Sequence, residues 1–245
     1  MKVFVAGGTG KTGNLVIQEL LSRNYHVKTI KRNSSSISSK IESNSNLTII
    51  TGTILEMSDS KIEDFVGDCD AVISCLGHNL TCKGIFGQPK KIVTNTLEKI
   101  CKVLNKRLKN KTIKLVLMNS SWVRNFDLYE EIPFSQQCIV SLLRIILPPH
   151  LDNEKAAEYL RIKIDQNNKT IQWVCIRPDT LIDKEKNTQY SLFISPQRNT
   201  IFNSGETSRI NVAHFMAELI SNENTWNKWK GQMPVIYNEA SPVMF

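Results

Sequence analysis

Residues 2–13 read Lys2-Val3-Phe4-Val5-Ala6-Gly7-Gly8-Thr9-Gly10-Lys11-Thr12-Gly13, and Leu15, Val16, Leu20 and Leu21 then line one face of an amphipathic stretch. The first five residues lack polar alternation, as in a strand buried on both faces of a parallel sheet. The order is therefore strand, glycine turn, helix. Gly7, Gly10 and Gly13 make the spacing G-x-x-G-x-x-G. In a dinucleotide-binding unit the first glycine permits the tight turn. The second lets backbone N–H groups approach a pyrophosphate, and the third allows close helix–strand packing. Gly8, Thr9, Lys11 and Thr12 complete the loop, and the phosphates would rest on the positive end of the helix. A triphosphate-binding loop, the other motif containing Gly10-Lys11-Thr12, needs a glycine five positions before Gly10. That position is Val5, inside the strand.

Working outward, the next strand covers 26–30 and ends in Lys31-Arg32-Asn33-Ser34. An NAD-preferring site would carry an acidic residue here for the ribose 2′-OH. Instead Lys31 and Arg32 offer cations for a 2′-phosphate, with Ser34 to Ser36 as hydroxyl donors, which favours NADP over NAD. Further strands are expected at 47–50, 71–75, 114–118 and 171–176, with helices at about 58–67, 92–108 and 152–166. This alternation predicts a doubly wound parallel sheet. Residues 1–245 read as a single dinucleotide-binding domain in which 178–245 form a small lobe on the substrate side.

Ligands of such sheets bind beyond the carboxyl ends of the strands. The rule singles out Gly77-His78 after the fourth strand, Asn119-Ser120-Ser121 after the fifth and Arg177-Pro178 after the sixth. Ser120 and Ser121 are candidates for touching a substrate carbonyl or the nicotinamide. His78 is either beside the nicotinamide or part of an ordinary loop. His150, after Pro148-Pro149 and before a helix capped by Asp152 or Asn153, is either a proton donor or a pocket-lining residue. Residues 138–147 are apolar yet too short to span a bilayer, leaving a lid, a self-association surface or plain core. Trp122, Phe126 and Tyr129 could line the same pocket and stack on a flat substrate.

The 245 residues hold 31 Lys+Arg against 23 Asp+Glu, a net charge of +8, with 41% hydrophobic and 22% charged residues. That composition suits a folded chain with an ample core and excludes a disordered one. Residues 83–114 carry ten basic residues against Glu98 alone, so the rest of the chain is near neutral. With Phe86 the segment's one aromatic, a solvated lysine face is expected rather than a nucleic-acid surface. Cys69, Cys75, Cys82, Cys101, Cys138 and Cys175 form no metal-ligand spacing, so no metal is expected and the thiols read as reduced. The strand beginning at Lys2 leaves no room for a leader and no run is long enough for a membrane span, so a cytoplasmic protein without membrane attachment is expected.

These residues resemble the atypical short-chain dehydrogenases/reductases, of which the NmrA-like and biliverdin-IXβ (flavin) reductase-like NAD(P)H-binding proteins are the nearest subgroup. The resemblance runs over nearly the whole chain. It rests on the glycine turn, Arg32, Asp70-Ala71-Val72-Ile73 leading to Leu76-Gly77, and Ser120-Ser121. It continues through Glu158, Trp173 to Leu181 with its Arg177-Pro178, and Ser208 to Phe215. It implies a Rossmann fold, cofactor contacts from Leu76, Gly77, Arg177 and Pro178, and a monomer or homodimer acting on a small molecule. Two positions depart from the family pattern. Gly52-Thr53 stands where Gly-Asp is usual, leaving adenine contact to Thr53. The family's catalytic Lys maps near Lys155, but Leu151 occupies the place of its Tyr. Tyr159 and Lys163 repeat the Tyr-x-x-x-Lys spacing two turns late, as a catalytic pair or as helix-face residues. The expected activity is transfer of hydride from NADPH to a flavin, quinone or carbonyl compound. The alternative is a non-catalytic redox sensor working through a protein partner.

Overall fold

In β1 (Lys2–Ala6), Phe4 and Ala6 enter one buried cluster while Val3 and Val5 enter another, so the strand is covered on both faces. The same holds for its parallel neighbours β2 (His26–Lys31), β4 (Ala71–Ser74), β5 (Ile113–Met118) and β6 (Ile171–Pro178), while β3 (Leu47–Thr51), at the sheet edge, is only partly buried. We describe residues 1–78, 87–107, 111–130, 139–142, 144, 146–200 and 202–239, from a computed structural model. The expected strands all form, within two residues of the bounds read from the sequence. Their order is β3-β2-β1-β4-β5-β6, the doubly wound arrangement whose direction switches between β1 and β4.

Three helices cover one face: α3 (Asp59–Val66), α4 (Ile92–Arg107) and α5 (Pro148–Glu158). Ile62, Leu97 and Ala156 represent them in the first cluster. Helices α1 (Lys11–Ser22), α6 (Arg209–Ser221) and α7 (Glu223–Trp229) cover the other through Val16, Phe215 and Trp226. A short α2 (Ser39–Glu42) lies between β2 and β3. Past residue 178 the chain returns to the main sheet. There β10 (Val235–Asn238) adds to β6 in parallel and β8 (Tyr190–Phe193) adds antiparallel to β10. Beside them β7 (Thr180–Ile182) pairs with β9 (Glu206–Ser208).

The lysines of α4 are largely fastened to neighbouring elements. Lys99 donates to the carbonyls of Leu55 and Met57, and Lys102 pairs with Asp59 at 2.8 Å. Lys111 pairs with Asp70 at 2.6 Å. Lys83, Phe86, Lys109, Cys82, Cys138 and part of the apolar stretch 138–147 lie outside the described residues. Among those described, no helix is long and apolar enough to cross a membrane.

Cys69, Cys75, Cys101 and Cys175 are buried free thiols. Burial raises all four, to about 12 for Cys69, Cys75 and Cys175. Thiolate is the reactive form, so these groups should be inert while the sheet is intact. With Cys82 and Cys138 replaced by Ser, a thiol-specific colorimetric reagent at pH 8 is expected to react only at the rate of unfolding. A thiol titrating within seconds would contradict this packing.

Candidate functional site

Gly7 has φ +80, a conformation glycine adopts without penalty. A Cβ there would sit 2.9 Å from the backbone of Cys75 and Leu76, so the turn crosses directly over the end of β4. At Gly13 a Cβ would meet the Gly7 carbonyl oxygen at 2.2 Å; any side chain would push α1 off the turn. Gly10 caps α1 without a side-chain bond, and the first turn of the helix holds no acidic residue. The first N–H groups of α1 are therefore left for an anionic ligand, in the field of the helix dipole. Lys11 turns elsewhere: its Nζ lies 2.7 Å from Asp183, which Arg209 also holds at 2.7 Å.

From this turn a cleft of about 530 Å³ runs along the sheet edge at the β1/β4 switch. Gly7, Thr9 and Gly10 lie at its middle, Arg32, Ser35 and Thr53 toward β2 and β3, and Leu76, Gly77 and His78 toward β4. Of the two cations expected for a 2′-phosphate, Arg32 alone lines the cleft. Lys31 is drawn aside by a short ion pair with Glu42 of α2, a local partner that competes with any ligand.

His78 is anchored from behind. Its Nε2 lies 2.9 Å from Asp152, a carboxylate 1% exposed that also accepts from Val93 N at 2.9 Å and Thr94 N at 3.0 Å. Thr94 Oγ1 adds a fourth donor at 2.6 Å. Burial pushes the Asp152 carboxyl up, but the donors from His78, Thr94 and Val93 outweigh it and the carboxyl titrates below its usual range. An ionised carboxylate only accepts, so Nε2 of His78 carries the proton in this bond. Asp152 thus caps α4 rather than its own helix. Helix α5 begins at Pro148, four residues earlier than expected, because proline suits a first turn.

That earlier start places His150 inside the helix. It is buried edge-on to Trp122, with Nε2 3.4 Å from Glu154, and lines neither cleft described here. Lys155 is half-buried and likewise lines neither. Tyr159 and Lys163 fall in a π turn, Tyr159–Ile164, shown by the bond from Asp165 N to Leu160 O at 2.9 Å. This wider turn undoes the one-turn stacking that four-residue spacing gives in an α-helix. Tyr159 packs against the core and burial raises its hydroxyl to about 12, opposite to what an acid catalyst needs. Ser120 is half-buried, and its Oγ accepts from Trp122 N at 3.3 Å. Ser121 lines the second cleft, its N–H bonded to the Pro178 carbonyl at 2.9 Å.

Arg177 was expected at the cofactor and lies elsewhere. It is fully buried, and all five N–H donors are spent on protein acceptors. Two go to the Glu130 carboxylate at 2.8 and 2.9 Å. The rest go to the carbonyls of Met233, Val123 and Ile194 at 2.7, 2.9 and 3.0 Å. Arg177 thereby ties β6 to the loop 121–130 and to the segment after β8. That loop forms one wall of a second cleft, about 600 Å³, beyond the ends of β5 and β6. Trp122, Phe126 and Tyr129 line it as the sequence suggests, and Val140 and Ser141 of the apolar stretch join them. Arg144 of the same stretch lines it too, and so do Arg124 and Arg198, which the sequence reading did not single out. For Arg124 the signal available was its place between Trp122 and Phe126.

Removing Glu130 would strand a buried guanidinium, which costs about 3–5 kcal/mol. Glu130→Ala should lower unfolding free energy by that order in urea titrations. Adding Arg177→Met should restore part of it, giving a double-mutant loss smaller than the sum of the single ones.

A sequence profile described as NAD(P)H-binding matches residues 7–223. An uncharacterised chloroplastic protein of Arabidopsis thaliana is 34% identical over 74 residues, 30% of this chain and about a quarter (26%) of that protein's length. Among solved structures, an ethylated short-chain dehydrogenase/reductase from Veillonella parvula superposes with TM-score 0.70 at 15% identity, covering 100% of this chain and 99% of that one. A structure of a short-chain dehydrogenase/reductase from the same organism in complex with NADP gives TM-score 0.65 at 14% identity, covering 99% and 95%. These two establish likeness of fold.

Proposed function

The chain belongs to the NAD(P)H-binding family, and from that premise we propose that it is an NADPH-dependent reductase acting on a small, flat, conjugated acceptor such as a flavin or quinone. One observation carries the proposal. The cleft with the glycine turn and a second cleft walled by aromatic rings open at neighbouring strand ends, beyond β4 and beyond β5 and β6.

The residues present fit the cofactor. The N–H groups at the start of α1, without a side-chain cap, suit the pyrophosphate, in a turn so tight that a Cβ at Gly13 would collide with it. Arg32, with Ser35 beside it in the cleft, suits the 2′-phosphate by a forked contact. Thr53 would receive the adenine, and Leu76, Gly77 and His78 the nicotinamide, all four lining the same cleft. The Veillonella parvula neighbour holds NADP in the same fold. Bound in this way, NADPH supplies the hydride, and the acceptor takes that hydride together with one proton. Asp152 fixes the ring of His78 at the β4 end of the cleft, and Ser120 stands at the end of β5. A conjugated acceptor can take its proton from solvent, so no Tyr–Lys pair is required. Tyr159, raised by burial, is left out of the reaction.

A second reading, a redox sensor that binds NAD(P) without turnover, is favoured by one feature: Leu151 stands four residues before Lys155, where the related reductases carry Tyr. NADPH oxidation with a panel of flavins, quinones and carbonyls separates the two. The reductase reading requires turnover with at least one acceptor; tight NADPH binding with none reduced supports the sensor. Arg32→Glu is expected to weaken NADPH by roughly 10- to 100-fold, the size of one or two charge-assisted hydrogen bonds, and to leave NADH within a few-fold. Equal losses for both cofactors would remove Arg32 from the 2′-phosphate.

A further inference from the structure

The charges around the second cleft do not cancel, and the imbalance is local. Arg144 and Glu154, both on its wall, neutralise each other through three contacts of 2.8–3.0 Å. Glu130 is committed to the buried Arg177 at 2.8 Å. Two cations then face the cleft with no carboxylate partner among the described residues, Arg124 and Arg198. Asp179 feels the charge of Arg198 but does not line the cleft, and its two oxygens accept from Thr180 N and Gly205 N at 2.9 and 3.0 Å.

Arg124 adds a sharper observation. Its Nε is buried and has no acceptor. A guanidinium N–H left unpaired away from water costs free energy, and buried donors in native structures are almost always satisfied. Its planar head is meanwhile held over the Phe126 ring, 5.4 Å from the centroid. Arg161 stacks on the same ring from 5.7 Å but is engaged by Asp127. The loop keeps its rings outward at some expense. Tyr129 is a non-glycine residue at φ 51 and is 85% exposed, and Phe126 is about half exposed. Strain and exposed aromatic surface concentrated on one cleft wall mark a ligand-binding edge.

We propose that this cleft recognises a conjugated ring system bearing an anionic group, a carboxylate, sulfonate or phosphate. The group is received by Arg124 and Arg198, and the ring lies against Trp122, Phe126 and Tyr129. The inference rests on the reductase reading for its kinetic test, while a binding test stands apart from it. It defines the acceptor by charge as well as shape: flat acceptors without an acidic group fill the aromatic wall but leave the charges of Arg124 and Arg198 uncompensated.

The experiment compares acceptors matched in ring and differing in charge: riboflavin against its phosphate, and a naphthoquinone against its sulfonate, each with saturating NADPH. The wild-type protein should favour the anionic member in kcat/KM by about ten-fold or more, the worth of one charge-assisted bond. Arg124→Gln and Arg198→Gln should each erase most of that ratio, and Arg198→Glu should invert it. Lys61→Gln, on the exposed face of α3, should leave the ratio as it is; an equal fall there would trace the preference to overall charge and overturn the proposal. So would a wild-type ratio near unity. In parallel, calorimetry with naphthalene sulfonate in the presence of NADP should show binding that Arg124→Gln weakens. Binding without any acceptor turnover would keep the anion site and refute the reductase reading; no binding would refute the site.

Discussion

The fully buried Arg177 is the fastener on which the cleft beyond β5 and β6 depends. A guanidinium taken out of water is tolerable only when its charge and all its donors are met, and here five acceptor bonds from four residues meet them. Its own strand, β6, lies within the main sheet. The partners lie in the loop after β5, the segment after β8 and the approach to β10. One side chain therefore joins segments that are far apart along the chain, adding to the backbone bonds that the approach to β10 and the loop after β5 make with β6. The wall carrying Trp122, Arg124 and Phe126 stands where it does because Glu130 and the Val123 carbonyl are pinned to that point.

The cofactor side rests on a different device, the absence of atoms. Gly7 and Gly13 let β1, α1 and the end of β4 approach within distances no Cβ would permit. The N–H groups at the head of α1 are brought there with no side chain to occupy them. Arg32 and His78 then bracket the cleft from β2 and β4. Asp152 serves both halves, since it orders His78 and caps α4 in one cluster of hydrogen bonds.

The first six strands and the glycine turn were legible because their signals are local: buried strands leave uninterrupted apolar runs, and a tight turn needs glycine at set spacings. The later strands were not. β7 to β9 are three or four residues each, too short for a period to register, and depend on partners far along the chain. The role of Arg177 was hidden for the same reason: a strand-end Arg-Pro reads alike whether the side chain meets a ligand or five protein acceptors. Lys31 and Arg32 are neighbours in sequence, yet alternation along the strand end and the presence of Glu42 send them to different tasks. The Tyr159–Lys163 spacing misleads because it presumes an α-helix where the chain forms a π turn. Trp122, Phe126 and Tyr129 were readable as a pocket wall, being large rings clustered after a strand end. Arg124 and Arg198 differ from Arg144 and Arg177 only through the ion pairs the latter make with Glu154 and Glu130, which no local sequence pattern reveals.

A reductase of conjugated electrophiles, the function proposed above, also has to survive them. Quinones and related acceptors add to thiolates, and an exposed low-pKa cysteine near such a site would be arylated in use. The four cysteines seen here are set into the sheet and its packed helices, where burial keeps them as neutral thiols. Cys75 even borders the cofactor cleft, one residue before Leu76, with its sulfur against Met216 on the far face. On that reading the interior doubles as chemical armour: the core that stabilises the sheet would also keep the reagent from consuming its own catalyst.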